Sequence, residues 1–152
     1  MKPAIFLRIA AALALLEAAG HTFLFVSYTP SHGPEEIAVV EAMKSHAFKL
    51  GGVAPHSYWE LYFGYGLFTT VSCLIEVGVL WQLASLVKTA PAQVRSMAAI
   101  FFAGEAGYTF LIWRYFSFPI PLASHISIAL CLVIVFLTAG QSSPAEERRK
   151  SS

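Results

Sequence analysis

The sequence predicts an all-α fold, a four-transmembrane-helix up-and-down bundle with a short amphipathic helix in the first extramembrane loop. Three observations carry that reading. Hydrophobic residues make up 57% of the chain and charged ones only 12%, far from the balance of a water-soluble domain. Mean hydropathy is +0.63, so lipid is the expected solvent. Four apolar stretches reach the length of about 20 residues that a helix needs to cross a hydrocarbon core.

The spans fall at 5–28, 59–87, 97–118 and 121–140. The first has the outline of a signal peptide, with Lys2 and Arg8 ahead of an apolar run. Glu17 interrupts that run, however, and Phe23, Leu24, Phe25 and Val26 extend it beyond the length of a cleaved segment, so a retained anchor is expected. Helices two, three and four follow one another through short connections, the pattern of antiparallel neighbours in a bundle. The first connection, Thr29 to Ser57, is 29 residues long. Within it, 34–50 reads as a helix, with Ile37, Val40, Met43 and Ala47 at helical spacing, Glu35 and Glu36 in the first turn and Gly51-Gly52 at the end. Such a helix serves either as a lid over the bundle or as a plain surface connector. One domain, 1–140, is expected, followed by a polar, disordered tail at 141–152.

Basic residues set the orientation, because Lys and Arg beside helix ends stay in the cytoplasm. Seven of the ten (Lys2, Arg8, Lys88, Arg95, Arg148, Arg149 and Lys150) lie on one side, against Lys44, Lys49 and Arg114 on the other. Both termini are therefore expected in the cytoplasm, with a bacterial inner membrane as the setting. A net charge of +1 offers no field for nucleic acid, which is excluded as a partner. Cys73 and Cys131 fall inside separate spans without a C-x-x-C pairing and read as small buried hydrophobes. Aromatic residues at the outer helix ends, Tyr58, Trp59 and Tyr62 on one side and Trp113, Tyr115, Phe116 and Phe118 on the other, fit an interfacial belt, and Arg114 is expected to snorkel there.

Asp is absent, while three of the nine Glu residues lie deep within spans. An acidic residue at the centre of a membrane helix costs about 2.5 to 3.5 kcal/mol, so three of them together favour a functional interior over three separate packing accidents. Glu17 and His21 are four positions apart on one helical face and are expected to share a proton or a hydrogen bond, with Ala10, Ala14 and Ala18 marking a close helix approach beside them. Helix two presents Tyr65, Thr69, Ser72 and Glu76 as a polar stripe, with Glu60 at its outer end. Helix three brings Glu105, with Tyr108 and Thr109 one turn outward, and helix four brings Ser124 and His125. Glu17, His21 and Glu105 are the expected catalytic core, with Glu60, Tyr65, Glu76, Tyr108 and His125 binding ligand in an outward-opening pocket. A buried carboxyl is pushed toward its protonated form, so one of the three would donate a proton that a neighbouring His accepts. Three neutral acids tying helices together would meet the same pattern.

Metal and cofactor chemistry fit less well. Di-iron bundles repeat a Glu-x-x-His motif, whereas Glu17-x-x-x-His21 occurs once, and the loop residues His32, His46 and His56 match no zinc spacing. A haem between His21 and His125 is geometrically conceivable, yet chance accounts for their shared depth. No metal and no cofactor are expected, and no phosphate-cradling loop or nucleophile elbow is present.

The run Glu17-Ala18-Ala19-Gly20-His21-Thr22, followed by Ser57-Tyr58-Trp59-Glu60-Leu61-Tyr62-Phe63-Gly64-Tyr65-Gly66, resembles small bacterial four-helix membrane proteins over helix one, the start of helix two and the overall plan. That resemblance implies the architecture and brings no activity with it. In architecture alone the chain is also similar to DoxX-like proteins and emopamil-binding-type sterol isomerases, which implies an enclosed apolar ligand. Three functions follow, in descending order. The first is binding of a small apolar or amphipathic ligand such as an isoprenoid, quinone or lipid, with acid-base isomerisation as its enzyme form. The second is an accessory or structural subunit held to a partner membrane protein or to a second copy. The third is proton-coupled transport.

Overall fold

A computed structural model describes residues 2–49, 51 and 54–141. Proline suits the first turn of a helix, because it lacks the amide hydrogen that would go unpaired there and its φ is already helical. Among the described residues, four of the five α-helices open on one: α1 (Pro3–Val26), α2 (Pro34–Ser45), α4 (Pro91–Leu111) and α5 (Pro119–Thr138). The remaining helix, α3 (Tyr58–Leu86), opens on a capping box. Ser57 Oγ accepts the amide of Glu60 at 3.1 Å, and the Glu60 carboxylate accepts the amide of Ser57 at 2.7 Å. A wide π turn, Ile112–Phe116, extends α4 and stops at Ser117, whose φ of 54° is left-handed.

Helices α1, α3, α4 with its π extension, and α5 are long and apolar enough to cross a membrane. The chain is an all-α integral membrane protein. All four spans start earlier than expected, the first at Pro3 instead of 5 and the second at Tyr58 instead of 59. The third begins at Pro91 instead of 97, since Gln93, Arg95 and Ser96 lower hydropathy without breaking a helix; the fourth begins at Pro119 instead of 121. The loop helix expected over 34–50 ends at Ser45. Beyond it Ala47–Phe48 (β1) pairs antiparallel with His56–Ser57 (β2), so Ala47 belongs to a strand and not to an apolar helix face. Val40 is buried, while Ile37 stays half exposed. Beyond Gln141 the expected tail lies outside the described residues, as does Gly52.

The contacts divide the chain into two compact units. In the first, Met1–Glu17 with Ile75–Ser152, the core brings Leu7, Ala10, Ala11 and Ala14 of α1 together with Leu80, Leu83 and Ala84 of α3, Val94 and Ala98 of α4, and Ile128, Leu132 and Val135 of α5. Lipid tails are as apolar as leucine, so such helices associate through close packing, which small side chains permit. Glu105 meets His125 and the Arg95 guanidinium covers the Phe136 ring at 5.1 Å, an order of contacts that makes α4 and α5 antiparallel. Leu16, Ile75, Ile100 and Leu130 are exposed, as lipid-facing side chains should be.

The second unit, Ala18–Leu74, is built on aromatic and backbone contacts. His21 Nε2 lies 3.1 Å from the Gly66 carbonyl oxygen, and the hydroxyls of Thr22 and Thr70 are 2.8 Å apart. The Phe25 ring stacks on His21 and on Phe63 and lies where a Cβ on Gly66 would stand. Only glycine accommodates that approach. In the loop, the Glu36 carboxylate gathers the amides of Ser31 and His32 at 2.7 and 2.6 Å and the Tyr28 hydroxyl at 2.5 Å.

Two outcomes follow. Gly66→Ala is expected to destabilise by about 1–3 kcal/mol, the range for overpacking, and a smaller side chain at Phe25 should recover much of it in a double-mutant cycle read by unfolding in detergent. The Tyr28 hydroxyl, with the amide donors, holds the Glu36 carboxyl down at about 2 from an ordinary 4.5. With the folded value depressed, the order Glu36 gives the loop is complete above the ordinary value and is lost as pH falls through about 2. A carbon-13 titration of the Glu36 carboxyl should show that low midpoint, and Tyr28→Phe should raise it.

Candidate functional site

The first unit buries a carboxylate–imidazole–carboxylate triad. Three helices supply it: Glu17 from the middle of α1, Glu105 from α4 and His125 from the second turn of α5. His125 Nδ1 hydrogen-bonds Glu105 Oε2 at 2.8 Å, and His125 Nε2 lies 2.8 Å from Glu17 Oε1. Exposure of the three side chains is 9% for His125, 2% for Glu105 and 12% for Glu17, so water does little to screen them. The neighbours of each residue explain its placement. Ala14 and Ala18 are buried on either side of Glu17 and let α1 approach closely, and Ile128 and Leu132 continue the buried face of α5 that His125 begins.

Three further side chains border the triad. The Tyr108 ring stacks on His125 at a centroid distance of 5.3 Å. Glu76, on α3, interacts with Glu105 and lies within electrostatic reach of His125 and Glu17. Thr109 stands one turn beyond Glu105 on the same face of α4, about 6 Å along the axis. Glu17 Oε2, Glu76 Oε1 and Thr109 Oγ1 are fully buried and have no hydrogen-bond partner among the described residues. Buried polar atoms are nearly always paired, so these three oxygens on α1, α3 and α4 stand out within the first unit.

The expected residues therefore separate into two groups. Glu17, Glu76, Glu105, Tyr108 and His125 come together in the first unit, with His125 at the centre instead of in support. The expected Glu17–His21 pair takes separate partners, Glu17 going to His125 and His21 to the Gly66 carbonyl. Glu60 is engaged in the cap of α3, and Tyr65 is 71% exposed; both belong to the second unit. A Ser-x-x-Glu run ahead of an apolar stretch was the signal for the role of Glu60. Thr109 had a signal as well, its spacing of four from Glu105.

Among the described residues no group of three or more His, Cys or carboxylate side chains is arranged to hold a metal ion, and Cys73 and Cys131 form no disulfide. Comparison with known proteins yields no matching family model, no matching curated protein and no matching solved structure.

The triad makes a stability prediction of its own. Removing one partner from a buried ion pair strands the rest, so Glu105→Ala is expected to cost about 3–5 kcal/mol. Replacing Glu17, Glu105 and His125 together by Leu should cost less than that single change. Reversible unfolding in mixed micelles measures both, and a triple variant weaker than Glu105→Ala would contradict the burial argument.

Proposed function

We propose that this integral membrane protein binds a small apolar or amphipathic ligand, of the isoprenoid, quinone or lipid kind, and handles protons on it at the Glu17–His125–Glu105 triad. The setting proposed is a bacterial inner membrane with both termini cytoplasmic, on the strength of the Lys/Arg asymmetry. One observation carries the reading: a histidine held at both ring nitrogens by carboxylates from two other helices, with buried unpaired oxygens beside it.

The geometry divides the labour. Both nitrogens of His125 are engaged, so the ring is a positioning and relay group and has no free nitrogen for the ligand. Glu17 keeps one oxygen unpaired and is the member of the triad that meets the ligand. Glu105 holds the ring from the other side and fixes its orientation, as the third member of catalytic triads does. In the isomerase form of this function, a carboxylate of this cluster takes a proton from one carbon of an unsaturated ligand. The electron pair shifts along the C=C system, and a proton returns to another carbon from Glu76 or Glu17. Proton and electron counts close on the ligand itself, with no co-reactant.

Purified full-length protein in nanodiscs, exposed to a total membrane lipid extract, provides the test. A component of the extract should raise the thermal midpoint of the wild type, and Glu17→Gln, nearly identical in volume, should remove that rise. Equal stabilisation of both proteins, or of neither, would take the ligand site away from Glu17.

A further inference from the structure

Resting on the reading of this cluster as a ligand site, we infer that the polar end of the ligand is a protonated aliphatic amine, whose N–H groups occupy the unpaired oxygens of Glu17, Glu76 and Thr109. The argument begins by counting protons. A ring nitrogen and a carboxylate oxygen 2.8 Å apart repel unless a proton lies between them, and His125 makes two such contacts. Two carboxylates and one imidazole sharing two protons carry one net negative charge, wherever along the row those protons sit. That charge is buried in the span of a membrane protein. A charge there is expensive unless it is paired.

Among the described residues, no Lys or Arg supplies the pairing. Among the described residues, the ion pairs of Glu17 and Glu105 run to His125 alone. Glu76 adjoins Glu105, His125 and Glu17. Among the described residues, the arginines of the same unit are occupied elsewhere, Arg8 over the Trp81 ring at 5.6 Å, Arg95 over Phe136 and Arg114 over the Tyr115 ring at 5.2 Å. The orphaned atoms agree with the charge count. Glu17 Oε2 and Glu76 Oε1 are carboxyl oxygens and Thr109 Oγ1 is a hydroxyl, a set rich in acceptors that a multivalent N–H donor satisfies and an ether or ketone does not. An ammonium group brings both missing quantities, a positive charge and several donors, and hydrogen bonds to charged partners are about twice as strong as neutral ones. The apolar surroundings of the triad would take the tail.

Three probes of one chain length separate charge from hydrogen bonding: dodecylamine, dodecyltrimethylammonium, which is charged without an N–H, and dodecanol, which donates without charge. Each is titrated against the full-length protein in nanodiscs, with the one-to-one adduct counted by native mass spectrometry and the thermal midpoint followed alongside. Dodecylamine is expected to bind saturably and at least about tenfold more tightly than either of the others, and Glu17→Gln to weaken it by about tenfold or more, the value of one charge-assisted bond. Thr109→Val, which leaves the triad intact, should weaken the amine less, and it serves as the variant should Glu17→Gln fail to fold. Dodecanol binding as tightly as the amine, with loss in the same variants, would overturn the charge inference and leave the ligand site standing. Saturable binding by none of the three would overturn both.

Discussion

Everything in the first unit depends on His125 being held from both sides within a span. Helix α5 carries no Asp, Glu, Lys or Arg from Pro119 to Thr138, and its one histidine meets carboxyls that α1 and α4 would otherwise bury alone. An acidic group at such depth costs a few kcal/mol, more than ordinary side-chain packing recovers at one position. The polar contact therefore sets the rotation of three helices about their axes. Ala10, Ala11 and Ala14 then meet Leu80, Val94 and Ile128 in the apolar core. Packing fits around the triad; it does not choose the triad's geometry.

The four long helices are plain in the sequence for a physical reason: hydrocarbon forbids unpaired backbone groups, so a span must be a helix of nearly fixed length. Its ends are less legible, because hydropathy reports where lipid stops and not where hydrogen bonding stops. Pro91 and Pro119 mark the true starts, two to six residues ahead of the apolar windows. The end of α2 at Ser45 was hidden for another reason, since it is set by pairing between Phe48 and His56 across a loop. The π turn at Ile112–Phe116 has no local composition to announce it.

For the site, depth was legible and rotation was not. Counting turns puts Glu17, Glu76 and Glu105 at similar depth, which is why the cluster was foreseeable from one sequence. Helical spacing also makes Glu17 and His21 neighbours, and that proximity is real along the axis. Yet the four-residue step turns a side chain by about 40°, enough for His21 to reach the Gly66 carbonyl while Glu17 reaches His125. Gly66 explains the first of these. With no side chain of its own it leaves room for the Phe25 ring, and α1 and α3 come close enough for His21 to reach the carbonyl.

A ring engaged at both nitrogens has lost the usual freedom of histidine to face a substrate directly. What it keeps is the ability to pass a proton from one side to the other by exchanging which nitrogen donates. Such a relay leaves the net charge of the row unchanged at every step, so the low dielectric that makes isolated charge expensive offers little resistance to the transfer. The carboxyl oxygen that remains unpaired at the end of the row is Glu17 Oε2. In the proposed function, chemistry at this triad would be tied to α1, while α4 and α5 would keep that oxygen supplied with, or relieved of, a proton.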